Sequence, residues 1–115
     1  GTTANITVTH GGGTANCGVA VYRVVGGEGE YEQGANSNAA GTLSVTPPAN
    51  SGVIAGAAQN GGTPVFNSGV THDLRINVGS DRLCAGSRVD ASSPGAISIG
   101  SDVDVNRNMS VVVIT

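Results

Sequence analysis

The sequence predicts an all-β protein: a single antiparallel β-sandwich, jelly-roll-like, with about eight short strands. β-Branched residues are plentiful, whereas the helix formers Glu, Lys, Gln, Leu and Met are scarce, and that balance favours strands. The 115-residue chain contains 19 Gly, many of them in turns between short apolar or alternating runs. Short strands with regular turn signals are typical of sandwiches and jelly rolls.

The candidate strands follow the chain from one end to the other, and turns rich in Gly, Pro and Asn separate them. Strict alternation indicates a strand with one face on the core, and an apolar run on both faces indicates a central strand. Residues 52–59 are apolar but small, which fits a buried strand packed closely against another layer. The predicted strands are 4–9, 17–25, 42–46, 52–59, 65–66, 73–78, 83–89, 96–99 and 109–115.

Two of these runs also predict how their side chains are directed. Residues 17–25 are apolar on both faces apart from Arg23, so we expect a central strand there. Residues 73–78 alternate cleanly, and we expect their aliphatic side chains to point into the core. Those side chains are Leu74, Ile76 and Val78.

Composition and charge exclude several classes of function. Only 11% of the residues are charged and the net charge is −3, which argues against nucleic acid as a partner because phosphates require clustered positive charge. The chain contains no lysine, which excludes Schiff-base and P-loop chemistry. No run approaches the roughly 20 apolar residues of a membrane-spanning helix, so we expect no membrane insertion. The opening Gly1-Thr2-Thr3 is quickly strand-like, as in a processed or excised piece of something longer.

Two cysteines, Cys17 and Cys84, permit a disulfide bond but do not require one. A bond between them would close a long loop and could stabilise the fold by roughly 4 kcal/mol in the chain-entropy model. The alternative is that both are small buried hydrophobic residues, since free cysteine is among the most buried residue types.

The candidate contact region is a polar stretch rich in Gly and Glu, predicted as a loop over residues 26–38. It contains three alternating carboxylates and one tyrosine. Paired carboxylates can serve glycoside hydrolysis, but no apolar pocket surrounds these to raise one pKa, so a solvated loop is the better interpretation. The tyrosine is a plausible exposed contact for a sugar, or else a cap on the core edge. These residues are Glu28, Glu30, Tyr31 and Glu32.

The remaining polar groups do not form a recognisable site in the sequence. Asp102 and Asp104 alternate with valines, but no glycine or bidentate glutamate completes a calcium loop near them. His10 and His72 are too few for a histidine-rich zinc site, and no G-x-S-x-G turn presents a nucleophile. We therefore predict no catalytic residue, no metal and no cofactor.

Three stretches together carry a family resemblance: residues 3–9 with a Gly turn and 16–24, then 48–58, then 91–95 followed by a Ser/Val-rich end. This pattern resembles a β-sandwich module found in structural proteins of tailed bacteriophages and prophages. In that module further strands precede the first pair, so the resemblance implies the later part of a jelly roll, or one that another chain completes. It implies a multi-copy assembly on the virion and supplies no catalytic residues.

We therefore expect a non-enzymatic virion component, such as a capsid decoration or a tail or fibre module. Its partners would be copies of itself and other capsid or tail proteins, and its location the extracellular particle. The alternative is a secreted or cell-surface module that binds carbohydrate or mediates adhesion, with a host-surface polysaccharide as partner and Tyr31 among its contacts.

Overall fold

A computed structural model of the chain describes residues 5–7, 9, 19–25, 30–39, 41–67, 69–89, 96–101 and 107–115, the side chains of 30–39 and of residue 107 excepted. This part of the chain is all-β and contains eight antiparallel strands and no helix. None of it could therefore cross a membrane as a helix. The strands are β1 (Glu30–Ala39), β2 (Leu43–Val45), β3 (Gly52–Asn60), β4 (Pro64–Phe66), β5 (Thr71–Val78), β6 (Asp81–Arg88), β7 (Ile97–Ser101) and β8 (Arg107–Ile114).

The strand order gives the sandwich a jelly-roll connectivity. One sheet has five strands in the order β1-β8-β3-β6-β5, and the other has three in the order β2-β7-β4. β1 pairs with β8, β2 with β7 and β3 with β6, which is the nested pairing of a long hairpin wound into two layers. β5 departs from this scheme, because it pairs with β6 and ends the five-stranded sheet instead of lying beside β4.

The core lies between the facing sides of the two sheets. On the five-stranded side the register places Val53 opposite Val113, and Ala55 opposite Val111, so these side chains share one face. The small residues of β3 lie between β6 and β8 and are alternately buried and half-buried, which confirms a strand over 52–59 with one face packed against the other layer. The core side chains are Val45, Val53, Ala55, Ala57, Phe66, Val70, Cys84, Ile97, Ile99, Met109, Val111 and Val113.

Glycine at position 86 allows a close approach between the two layers. A Cβ atom there would lie 2.7 Å from Cδ2 of Phe66 and 2.5 Å from the carbonyl oxygen of Thr71. The aromatic ring of β4 therefore packs directly on the β6 backbone. Only a residue without a side chain allows this packing.

A polar network closes one end of the sandwich. The side-chain amide of Gln59, which is 4% exposed, donates to the carbonyl oxygen of Gly61 at 2.8 Å and to Oγ of Ser101 at 2.7 Å. Ser101 in turn donates to the Thr63 carbonyl oxygen, and Arg82 donates to the Thr63 hydroxyl. These bonds connect β3, β6 and β7 to the turn before β4. They also give the buried amide nitrogen of Gln59 two acceptors.

The prediction of a polar loop over 26–38 is wrong for its described part, because residues 30–39 form β1. Among the described strands, β1 pairs only with β8 and lies at the edge of the five-stranded sheet. An edge strand has one row of backbone groups outside the ladder, and a polar, Gly-containing sequence is tolerated there. The pairing shifts twice, between Glu32 and Gly34 and between Asn36 and Ala39, as expected of an irregular edge strand.

The first two predicted strands, 4–9 and 17–25, are also wrong in their described parts. Residues 5–7, 9 and 19–25 belong to no strand. A run of β-forming residues becomes a strand only where a neighbouring backbone completes its hydrogen bonds. In a single copy of the chain these residues have no such ladder.

Candidate interaction surface

A β-bulge turns the aliphatic side chains of β5 away from the core. The pairing of β5 with β6 shifts between His72 and Leu74. Beyond the shift, Arg75 lies opposite the core residue Cys84, while Leu74 lies opposite Ala85. Since paired residues share a face, the predicted direction of this strand is wrong. The side chains on the outer face are Leu74, Ile76 and Val78.

The outer side of the five-stranded sheet is apolar over much of its area. Ile76 pairs with Leu83, which pairs with Ala58, and Ile54 pairs with Val112 on the far side of β3. Outer positions of a sandwich are normally polar, and a contiguous apolar patch indicates an interaction site. We define the outer apolar face as Ile54, Ala58, Leu74, Ile76, Val78, Leu83, Val112 and Ile114, which are half-buried, together with Ala85, which is buried.

A second apolar feature lies in residues 19–25, which we call the N-terminal segment. Val19, Val21, Val24 and Val25 are 49%, 65%, 50% and 79% exposed. The segment has the β-branched composition of a strand, yet it is outside both sheets. Its side chains are therefore available for a partner.

A hydrogen bond brings the N-terminal segment to the edge strand β5. The hydroxyl of Tyr22 donates to Oδ2 of Asp73 at 3.1 Å, and Asp73 lies at the β-bulge. Burial, the hydrogen bond to Asp73 and the negative charge of that carboxylate raise the pKa of Tyr22 to about 12. The phenol therefore stays protonated and remains a donor over the whole physiological range.

On the inner side of β5, His72 is held as a neutral ring. It stacks on Phe66 with ring centroids 4.6 Å apart, and its Nε2 accepts from the Phe66 backbone N–H at 3.4 Å. The guanidinium of Arg75 lies 3.4 Å from the same nitrogen. Burial and the positive charge of Arg75 lower the pKa of His72 against the opposing effect of Asp73. A histidine that makes these contacts positions β5 against β4.

Cys84 carries a free thiol and is 4% exposed. Burial raises the pKa of the Cys84 thiol, against the opposing effects of Arg75 and Arg82. The thiol is therefore protonated at neutral pH and a weak nucleophile. Cys17 lies outside the described residues.

The predicted contact region is only partly described. Glu30, Tyr31 and Glu32 lie in β1, in register with Ile114, Val113 and Val112. The structure describes their backbone alone, and Glu28 lies outside the described residues. Their role in contacting a partner stays a prediction. So do the roles assigned to His10, Asp102 and Asp104, which also lie outside.

Sequence reasoning missed the outer apolar face, although one signal for it was present. Leu83 and Cys84 are neighbours on one strand, so only one of the two can point to the core. If Cys84 points into the core, the side chain of Leu83 must point to the outer face of the sheet. The bulge at Asp73 could not be predicted from the sequence, because apolar and polar residues alternate without interruption through 73–78.

No family model, curated protein or solved structure matches this chain. In the described ranges no group of three or more His, Cys, Asp and Glu side chains could hold a metal ion.

Proposed function

We propose that the protein is a non-enzymatic structural component of a bacteriophage virion, a capsid decoration or a tail or fibre module. It stabilises or decorates the particle by packing against copies of itself and other virion proteins. The observation that carries the proposal is the outer apolar face on a jelly-roll layer. Jelly rolls of this connectivity recur in viral capsid and lectin domains.

The chemistry of the outer apolar face favours a protein partner over a small solute. Its described side chains are aliphatic or small, without an aromatic platform on which a sugar ring would stack. A patch that spans four strands, from β5 through β6 and β3 to β8, suits contact with another folded surface. Low charge, 11% of residues, further reduces repulsion between closely spaced copies.

The proposal is tested on particles from the natural source. A filtered lysate is separated on a density gradient, and the chain is quantified by mass spectrometry across the fractions. We expect it to co-sediment with DNA-containing particles at many copies per particle. Recovery only from the soluble fractions would overturn the proposal. Binding of the soluble protein to a host polysaccharide would then favour the carbohydrate-binding alternative.

A further inference from the structure

The edge strand β5 is incomplete in a single copy of the chain. It ends the five-stranded sheet, and within the described ranges no strand pairs along its other side. Alternate residues of this eight-residue strand therefore direct their backbone groups away from β6, where no described strand receives them. Natural sheets protect such edges or pair them with another segment.

The N-terminal segment is the natural candidate for this edge. Its seven residues, Val-Ala-Val-Tyr-Arg-Val-Val, have high β-propensity and no place in either sheet. The Tyr22–Asp73 hydrogen bond already brings one of its side chains to β5. In an extended segment Val19, Val21 and Val25 would share one face.

Chain length prevents the segment from pairing along β5 of its own copy. β1 and β5 lie at opposite edges of the five-stranded sheet, so a strand added beyond β5 would lie five strand spacings, roughly 24 Å, from β1. Four residues lie between Val25 and Glu30, the first residue of β1, and the five Cα–Cα steps reach at most about 18 Å. The eight steps from Tyr22 to Glu30 reach about 28 Å, which suffices for the hydroxyl contact but not for a full ladder.

We infer that residues 19–25 of one copy form an additional strand along β5 of a second copy. The segment extends the five-stranded sheet of its neighbour, and Val19, Val21 and Val25 prolong the outer apolar face beyond Leu74 and Ile76. The contact is head-to-tail, so repeated use of it links copies into a ring or a filament. The inference rests on the proposed function only for the presence of neighbouring copies.

Cross-linking between two tagged versions of the full chain tests this pairing. One version carries Val21→Cys, the other Ile76→Cys on the outer face of β5, and both carry Cys17→Ser. The mixture is treated with a short bis-maleimide, which tolerates a one-residue change of register. We expect roughly tenfold more mixed dimer than with the matched control, Val21→Cys against Thr46→Cys, because pairing raises the local thiol concentration. Thr46 is exposed and follows β2 in the other sheet.

Equal yields for the two combinations would overturn the inference. So would a cross-link formed only within one chain when both changes are placed in the same copy. Neither result would change whether the chain co-sediments with particles. The proposed function and this inference are therefore tested independently.

A second variant avoids introduced thiols. Val21→Asp with Val24→Asp places charges on side chains that are exposed in the single copy, so the melting temperature should not change. We expect self-association to weaken at least about tenfold, because burying an unpaired carboxylate in a ladder is costly. Thr46→Asp with Ala49→Asp, which adds the same charge elsewhere, should leave association unchanged. Equal association of all three proteins would contradict the inference.

Discussion

At the scale of single residues, the Tyr22–Asp73 contact has a direct spectroscopic readout. The phenol of Tyr22 should ionise near pH 12, followed by its phenolate absorbance in the near ultraviolet. Asp73→Asn removes the negative charge and weakens the acceptor, so the midpoint should fall towards the ordinary value of 10.0.

The same titration has an internal control in the second tyrosine. Tyr22→Phe should remove the high-pH transition and leave that of Tyr31 in place. Because the pKa of Tyr22 is raised on folding, the stability it contributes is complete below pH 10 and is lost as the pH rises through about 12. A midpoint for Tyr22 that does not move in Asp73→Asn would contradict the contact.

His72 should make stability depend on pH in the acid range. Its pKa is lowered on folding from 6.5, so the unfolded chain binds the proton more readily than the folded one. Stability is therefore fully present above pH 6.5 and decreases as the pH falls through the folded value. We expect the free energy of unfolding in urea to decrease between pH 7 and pH 5 more steeply in the natural protein than in His72→Gln. Parallel pH profiles for the two proteins would show that His72 is not responsible.

At the scale of the elements, the packing of β4 on β6 depends on Gly86. Gly86→Ala forces a Cβ atom against the Phe66 ring and the Thr71 carbonyl, and overpacking of this kind costs on the order of 1–3 kcal/mol. The matched control is Gly56→Ala on β3, where the nearest atom, Oγ of Ser110, lies 3.6 Å away. Urea unfolding should show a large loss for the first variant and little change for the second. Equal losses would mean that the close approach at Gly86 does not matter.

The same elements show what could be predicted from the sequence. The run of small residues in β3 and the valine run of β8 were correctly predicted as strands, because period and composition are properties of the segment itself. β1 could not be predicted, since its polar residues form a strand only through pairing with β8. The direction of β5 was predicted wrongly, because a bulge changes the face of every later residue.

The N-terminal segment was predicted as a central strand and belongs to no strand in the described structure. Strand formation depends on a neighbouring backbone as well as on composition. The outer apolar face was missed because apolar alternation does not show which of the two sides of a sheet faces the core. The composition of these segments therefore showed that they are apolar, but the sequence did not show where they lie in the fold.

At the scale of the whole molecule, two surfaces lie outside the core, and neither has a partner strand among the residues that the structure describes. The outer apolar face spans four strands, and the free edge of β5 adjoins it. Both belong to one side of the five-stranded sheet, so one contact with another copy can engage them together. The proposed contact would explain why this sheet carries apolar residues on both of its sides.

The most direct measurement is the mass of the purified chain in solution, determined by light scattering on a sizing column over a range of concentrations. We expect a defined multiple of 11.2 kDa that Leu83→Glu, with its charge on the outer apolar face, shifts towards the single copy without lowering the melting temperature. A mass of 11.2 kDa at every concentration, unchanged in the variant, would contradict a structural component built on contacts between copies.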